Sequence, residues 1–494
     1  MTKSYISSTN LLQINTSNSL DYSSSIQPKD GKLLMNYINV LTMCLITSLL
    51  LLSACNNKSK KAVTKHKIPY IVGAQRLVFT NDDIASKMSP TLKNILKLSE
   101  GDSREIMVKI WYPTSSSQNE SNRYDYGFHT VENLFPIDPA NEGYQETFDL
   151  YQSVTKLSET YYDAHPIENT AFPVIIDSHG YGVAIEAYQK YYESLVKQGY
   201  VVVAIAHPQE TSFVTVNNSE SIAYNEAMEI DTERLLPEDK WDKSQLLTDE
   251  ERVNLSMLPL GSDIHSVLLK KEFYSNVLQT GAQEHLNLWV EDTKFVLSQL
   301  KRINSGDFDS NLKGIFDLSK IGASGHSFGG ATARRFCSQE KNCLASINMD
   351  GSSFALFEEK IINPHMEFNS DFEANIQYMI REGRIVNNEE YDEILKDLAL
   401  SLHLASHATI HAATNDLYIF RLKTMSHGDF AATWANLHDY GLGSDALNAI
   451  VEKTSLHFFN HYLRSQQYST ASKDLCEQVT LNDALISEFS NRCQ

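Results

Sequence analysis

The order of apolar and polar positions divides the chain into a leader and a long folded region. Residues 1–34 are rich in Ser, Asn and Thr and have no sustained apolar period, so no packed element is expected there. Val40–Leu52 is a mostly apolar run, too short to span a bilayer as a helix. Further along, Arg104–Pro113 alternates apolar with polar residues, the mark of an antiparallel strand with one buried face. Phe172–Ile176 and Tyr200–Ala206 are continuous apolar runs, as strands covered on both faces are. Between them Glu186–Gln198 has helical spacing and is closed by Gly199. A strand, a helix and a second buried strand make a parallel crossover unit.

The alternation continues. It predicts a helix over Ala282–Leu300, a strand over Ile315–Ala323, a helix opening at Gly329 and a strand over Cys343–Met349. Strands at Ile361–Phe368 and Leu417–Leu422 and an amphipathic helix over Ala446–Leu463 complete the series. The expected fold class is therefore α/β: a mostly parallel, doubly wound sheet with helices on both faces. One domain is expected over residues 68–494, without internal repeats. Residues 208–280 are acidic and break the pattern, and are expected to form an insertion over the sheet, a candidate lid.

Composition narrows the picture. A chain of 494 residues, 42% of them hydrophobic, can bury a large core. Its formal net charge of −20, spread without long like-charge blocks, argues against a nucleic-acid partner, which needs a basic face.

The leader looks like an export signal. Lys29 and Lys32 supply a positive flank to Val40–Leu52, and the run ends in Leu52-Ser53-Ala54-Cys55. Small residues before a cysteine resemble the bacterial lipoprotein signal, in which that cysteine is lipidated and becomes the new N-terminus. Residues 1–54 would then be lost, Cys55 would carry the lipid, and 55–67 would be a polar tether at a membrane surface, on the periplasmic or cell-surface face. The alternatives are a plain signal peptide cut after Ala54 or an uncleaved anchor. Beyond Cys55 four cysteines remain, an even number suited to an oxidising compartment. Of their three connectivities, proximity favours Cys337–Cys343 with Cys476–Cys493.

Gly325-His326-Ser327-Phe328-Gly329 fits G-x-S-x-G. This pattern puts a serine on a strained strand-to-helix turn, where bulky neighbours cannot fit. An apolar strand precedes it and Gly329-Gly330-Ala331 follows, so Ser327 reads as a nucleophile at a helix N-terminus. In this arrangement the acid and then the histidine follow the serine in the chain. His427 lies five residues past Leu422, in the loop after the last expected strand, and is the candidate base. His326 is too close to Ser327 to reach its hydroxyl, His179 belongs to an earlier loop, and His457 and His461 fall on the C-terminal helix. Asp350, closing the strand that ends at Met349, is the candidate acid, and Asp371 is the runner-up. Asp429 is too close to His427. Oxyanion donors are expected from the amides of Phe328 and of Tyr181, in the loop His179-Gly180-Tyr181-Gly182, whose Gly180 and Gly182 let the backbone turn toward substrate. His403, His407 and His411, spaced by four, could share a helix face as metal ligands do, but no carboxylate or cysteine completes a motif. No metal or cofactor is expected.

On these residues the chain resembles the plasma-type and related intracellular platelet-activating factor acetylhydrolases and their bacterial homologues, over about residues 68–463. The likeness rests on Trp111-Tyr112-Pro113, the His179–Gly182 loop, Gly325–Thr332, the aspartate closing the next strand, Ile361–Pro364 with Asn369-Ser370, and Ser426-His427 followed by Phe430. It implies an α/β-hydrolase fold, a triad at Ser327, Asp350 and His427, and oxyanion donors at Tyr181 and Phe328. It also implies hydrolysis of short or oxidised acyl esters of phospholipids, without cofactor. Gly351 and Ala206-His207-Pro208 depart from the mammalian pattern. The competing expectations are a general carboxylesterase or polyester hydrolase, and a lipoprotein without catalysis.

Overall fold

The computed structural model describes residues 69–115, 160–211, 280–351, 359–381, 403–431, 445–464 and 485–491, with breaks at 89, 96–98 and 100–101. Short pieces at 213–215, 221–223 and between 248 and 263 are also described. In chain order the strands are β1 (Ile71–Asn81), β2 (Arg104–Thr114), β3 (Thr160–Tyr162), β4 (Phe172–Ser178), β5 (Val201–Ala206) and the small hairpin β6 (Phe213–Thr215) and β7 (Ser221–Ala223). They continue as β8 (Phe316–His326), β9 (Cys343–Met349), β10 (His365–Asn369), β11 (Leu417–Leu422) and β12 (Leu485–Ser490). Ten of these form one sheet in the order β12-β11-β10-β9-β8-β4-β5-β2-β1-β3. From β11 to β5 all neighbours are parallel, while β1, β2 and β12 join antiparallel at the margins.

Among the described residues the longer helices include α1 (Gln189–Lys197), α2 (Thr280–Ser305), α3 (Phe328–Gln339), α4 (Phe372–Arg381) and α5 (Asp445–Arg464), with a further helical stretch over 403–412. Strand β5 shows why its sequence reads as an unbroken apolar run. Val202, Ala204 and Ala206 face a core with Tyr192, Leu195 and Phe459 of α1 and α5, while Val201, Val203 and Ile205 face one with Leu297, Leu300 and Phe336 of α2 and α3. Side chains alternate along a strand, so a strand covered twice needs apolar residues at every position. The chain has the α/β-hydrolase fold expected from its sequence.

Several elements differ in detail. The strand expected over Ile361–Phe368 starts only at His365, and Ile361 makes one isolated bridge to Ala413. The helix expected from Glu186 opens as a tight 3-10 turn over Ile185–Tyr188 before α1 begins. β1, β3 and β12 are margin strands that the apolar pattern did not announce. Cys337 and Cys343 are joined as a disulfide, tying the end of α3 to the start of β9. Cys55, Cys476, Cys493, the apolar run Val40–Leu52 and most of 208–280 lie outside the described residues. Among the described residues no helix is long and apolar enough to cross a membrane.

Candidate active site

Parallel strands place their carboxyl ends along one edge of the sheet, where an α/β fold gathers its functional groups. Ser327 follows β8, Asp350 follows β9, Tyr181 sits in the loop after β4, and His427 lies in the loop after β11. Ser327 has φ 54° and ψ −122°, a conformation that L residues rarely adopt. The turn closes tightly: a Cβ on Gly329 would run into the Ser178 and His179 carbonyls, and one on Gly325 into the Gly329 backbone. The Ser327 N–H donates to Met349 O at 2.8 Å, which ties the elbow to the end of β9.

Three side chains form a relay at this edge. His427 Nε2 lies 3.0 Å from Ser327 Oγ, and His427 Nδ1 lies 2.6 Å from Asp350 Oδ2. Asp350 also has positive φ, at 57°, and its other oxygen accepts from the Ser370 N–H at 2.7 Å. Burial would raise the pKa of this carboxyl. The hydrogen bond and charge of His427, with the Ser370 donors, outweigh it and hold the group below the ordinary carboxylate value. Asp371 serves elsewhere: its Oδ1 accepts from the Glu373 N–H at 2.9 Å and the Ala374 N–H at 3.4 Å, as an N-cap of α4. Asp429 accepts from the Ser426 N–H and hydroxyl at 2.7 and 2.8 Å, a capping box on the turn that begins at His427.

Asn375 has no signature in the sequence. Its Oδ1 accepts from the His427 N–H at 2.6 Å, and its Nδ2 donates to Ser370 Oγ at 2.6 Å. One side chain of α4 thus links the loop of the candidate base to the residue that grips the candidate acid. Gly351, a departure from the mammalian pattern, has a local reason. Its N–H donates to Asn348 Oδ1 at 2.8 Å, and a Cβ there would collide with the Ser327 carbonyl.

The loop after β4 is pinned on both sides of Tyr181. The Gly180 N–H donates to Tyr188 Oη at 3.0 Å, and the Gly182 N–H donates to Glu210 O at 2.9 Å. Both glycine amides are used within the scaffold, so Tyr181 stays the loop's candidate oxyanion donor. Its ring meets that of Phe328 edge-on, with centroids 5.9 Å apart. Tyr188 Oη in turn donates to His326 Nδ1 at 2.8 Å, and burial, then the nearby His427, push the His326 pKa down to about 3. His326 is a neutral part of the elbow's underside. His179 is also neutral: its Nδ1 donates to Gly180 O at 2.6 Å, its Nε2 accepts from the His207 N–H, and burial lowers its pKa to about 3.

Beneath that loop lies a buried polar cluster that sequence reasoning missed. Arg104 clamps Asp292 with Nε and Nη2 at 3.1 Å each, and Asp292 Oδ2 accepts from His207 Nδ1 at 3.0 Å. Glu210 accepts from Trp289 Nε1 at 2.7 Å and is hydrogen-bonded to His285. These residues lie far apart in the chain, so no local motif announces them. His403 and His407 do come together, Nε2 to Nε2 at 3.2 Å, and His403 also contacts Leu258 O, while His411 stands one turn further on. Among the described residues no group of three or more His, Cys, Asp or Glu could hold a metal ion. His457 and His461 are positions of α5.

A ferulic acid esterase from Streptomyces cinnamoneus is 17% identical, aligned over 82% of this chain and 93% of its own, with a TM-score of 0.49. The sequence profile of the family described as platelet-activating factor acetylhydrolase, isoform II matches residues 56–470, well over half of the chain. By that match the chain belongs to the platelet-activating factor acetylhydrolase, isoform II family and is a carboxylic ester hydrolase.

Proposed function

We propose that this hydrolase works through Ser327, His427 and Asp350 and removes short or oxidised acyl chains from phospholipids. The observation that supports the triad most is the unbroken pair of hydrogen bonds, 3.0 Å from Ser327 to His427 and 2.6 Å from His427 to Asp350. With Asp350 ionised, His427 Nδ1 keeps its proton and Nε2 presents its lone pair to the serine hydroxyl. His427 takes the hydroxyl proton as Ser327 attacks the ester carbonyl, and returns it to the leaving alcohol. Water then enters and loses a proton to His427 as it attacks the acyl carbonyl, and His427 passes that proton to Ser327 Oγ as the acyl–serine bond breaks and the acid leaves. The amides of Tyr181 and Phe328 stabilise the negative oxygen in both steps, and no cofactor is needed. Export and lipidation at Cys55 would hold the domain at a membrane surface, beside lipid esters.

Support for the acyl range comes from the family match alone, so the test has two arms. Ser327→Ala should lose turnover by on the order of 10³-fold or more and lose fluorophosphonate labelling, with an unchanged melt. Wild-type enzyme should cleave phospholipids with a short or oxidised sn-2 chain faster than those with a long one. A wild-type preference for simple or polymeric esters over every phospholipid would replace the substrate and leave the triad standing.

A further inference from the structure

Trp289, on α2, is fully buried and touches both halves of the proposed oxyanion hole. Its indole meets the Phe328 ring at a right angle, with centroids 4.9 Å apart, and lies nearly parallel to the Tyr181 ring at 6.4 Å. Phe328 is on the elbow and Tyr181 on the loop after β4, so one side chain spaces the two segments whose amides would share the negative oxygen. His207 stacks on the indole at 3.9 Å with the planes 9° apart, and the His179 ring lies 4.8 Å away.

The indole is held in register by Glu210, which is itself completely buried. One carboxylate oxygen accepts from Trp289 Nε1, the other is bonded to His285, and the Glu210 backbone carbonyl accepts from the Gly182 N–H. Glu210 therefore fixes the indole with its side chain and the Tyr181 loop with its main chain. Packing against the surrounding rings and the Nε1–Glu210 bond together fix the indole. A charged acceptor makes that bond stronger than a neutral one would. Around the pair, Arg104, Asp292 and His207 satisfy one another, so the charged acceptor is embedded in a paired network.

We propose that Trp289, held by Glu210, is a positioning residue that sets the spacing of the oxyanion hole. The inference rests on the serine hydrolase reading above and adds to it a determinant outside the triad. Two amides must converge on one oxygen, and a shift of either by a fraction of an ångström weakens the bond that matters only in the transition state. Losing the indole N–H should therefore cost turnover and leave substrate binding nearly unchanged.

The test uses the full-length protein with Trp289→Phe, Glu210→Gln and, as the mildest change, His285→Gln. Turnover of p-nitrophenyl acetate is counted per site titrated with a fluorophosphonate, so molecules that fail to fold do not enter. For Trp289→Phe, kcat should fall roughly 10- to 100-fold with KM within about threefold, less than the loss of a whole donor would cost, while Glu210→Gln keeps an amide oxygen for the indole N–H and should lose less, since only the charge of the acceptor is removed. His285→Gln should move in the same direction by less. A trifluoromethyl ketone, whose adduct places a negative oxygen in the hole, should lose affinity by the same factor as kcat/KM, while the matching methyl ketone keeps its own. Equal kcat per titrated site in all three variants would overturn the positioning role, as would a rise in KM alone or an equal loss of both ketones. Normal turnover in Ser327→Ala would instead overturn the hydrolase reading on which it stands.

Discussion

Replacing Asp350 by Asn changes one atom type and almost no volume, so its effect isolates the carboxylate. In the wild type Oδ2 faces His427 Nδ1 at 2.6 Å and Oδ1 faces the Ser370 N–H at 2.7 Å, so both partners are donors. A carboxylate accepts from both, whereas an amide has one acceptor and one donating NH2. If the amide oxygen turns to His427, the NH2 meets the Ser370 N–H, two donors face to face in a buried place. If it turns to Ser370, the NH2 meets His427 Nδ1, which must then accept. The imidazole carries its proton on Nε2 in that case and can no longer take one from Ser327. The second arrangement satisfies every buried group, so the variant folds with the wrong tautomer. We expect kcat to fall by on the order of 10³- to 10⁴-fold, or about 4 to 5.5 kcal/mol in barrier. Asp371→Asn keeps an oxygen for the Glu373 and Ala374 N–H groups, and Asn caps helices as well as Asp, so activity should stay within about twofold. The assay is kcat/KM on a p-nitrophenyl ester, with thermal melts of both variants alongside. A crippled Asp371→Asn beside a nearly normal Asp350→Asn would refute the assignment of the acid and the tautomer argument together.

Asp177 lies on β4, and burial pushes its carboxyl up to about 7 despite hydrogen bonds from Ser324 and Tyr192. The native state thus keeps a proton that the unfolded chain gives up above pH about 4, so this group's stabilisation is full at low pH and is lost as pH rises through 7. The stability difference between wild type and Asp177→Asn should therefore shift against the wild type by up to about 1.4 kcal/mol per pH unit between pH 4 and 7. Urea melts across that range giving a flat difference would show that Asp177 is ionised in the fold. Wild-type protein should partition with membranes while Cys55→Ser is released or left as precursor. Equal solubility of the two, with no mass shift at the mature N-terminus, would exclude lipidation and leave the hydrolase reading intact.

The sequence alone carried the fold class, because strands buried on both faces must be apolar at every position, as Val201–Ala206 is. It also carried the elbow, whose glycines follow from a turn with no room for a Cβ, and the choice of Ser327, Asp350 and His427 as candidates, which needs only chain order and strand ends. What it could not carry is anything made by convergence. Asp350 and Asp371 each close a strand-like run, and only the packed sheet decides that one faces His427 while the other caps a helix. Asn375, Glu210 and Trp289 have ordinary neighbours in the chain. Their roles arise because α4, the turn after β5 and α2 meet at the carboxyl edge of one sheet, where a hydrogen bond joins residues 52 to 79 positions apart. Apolar patterning is local and can be read along the chain, whereas the partner of a buried polar group is chosen by the whole fold.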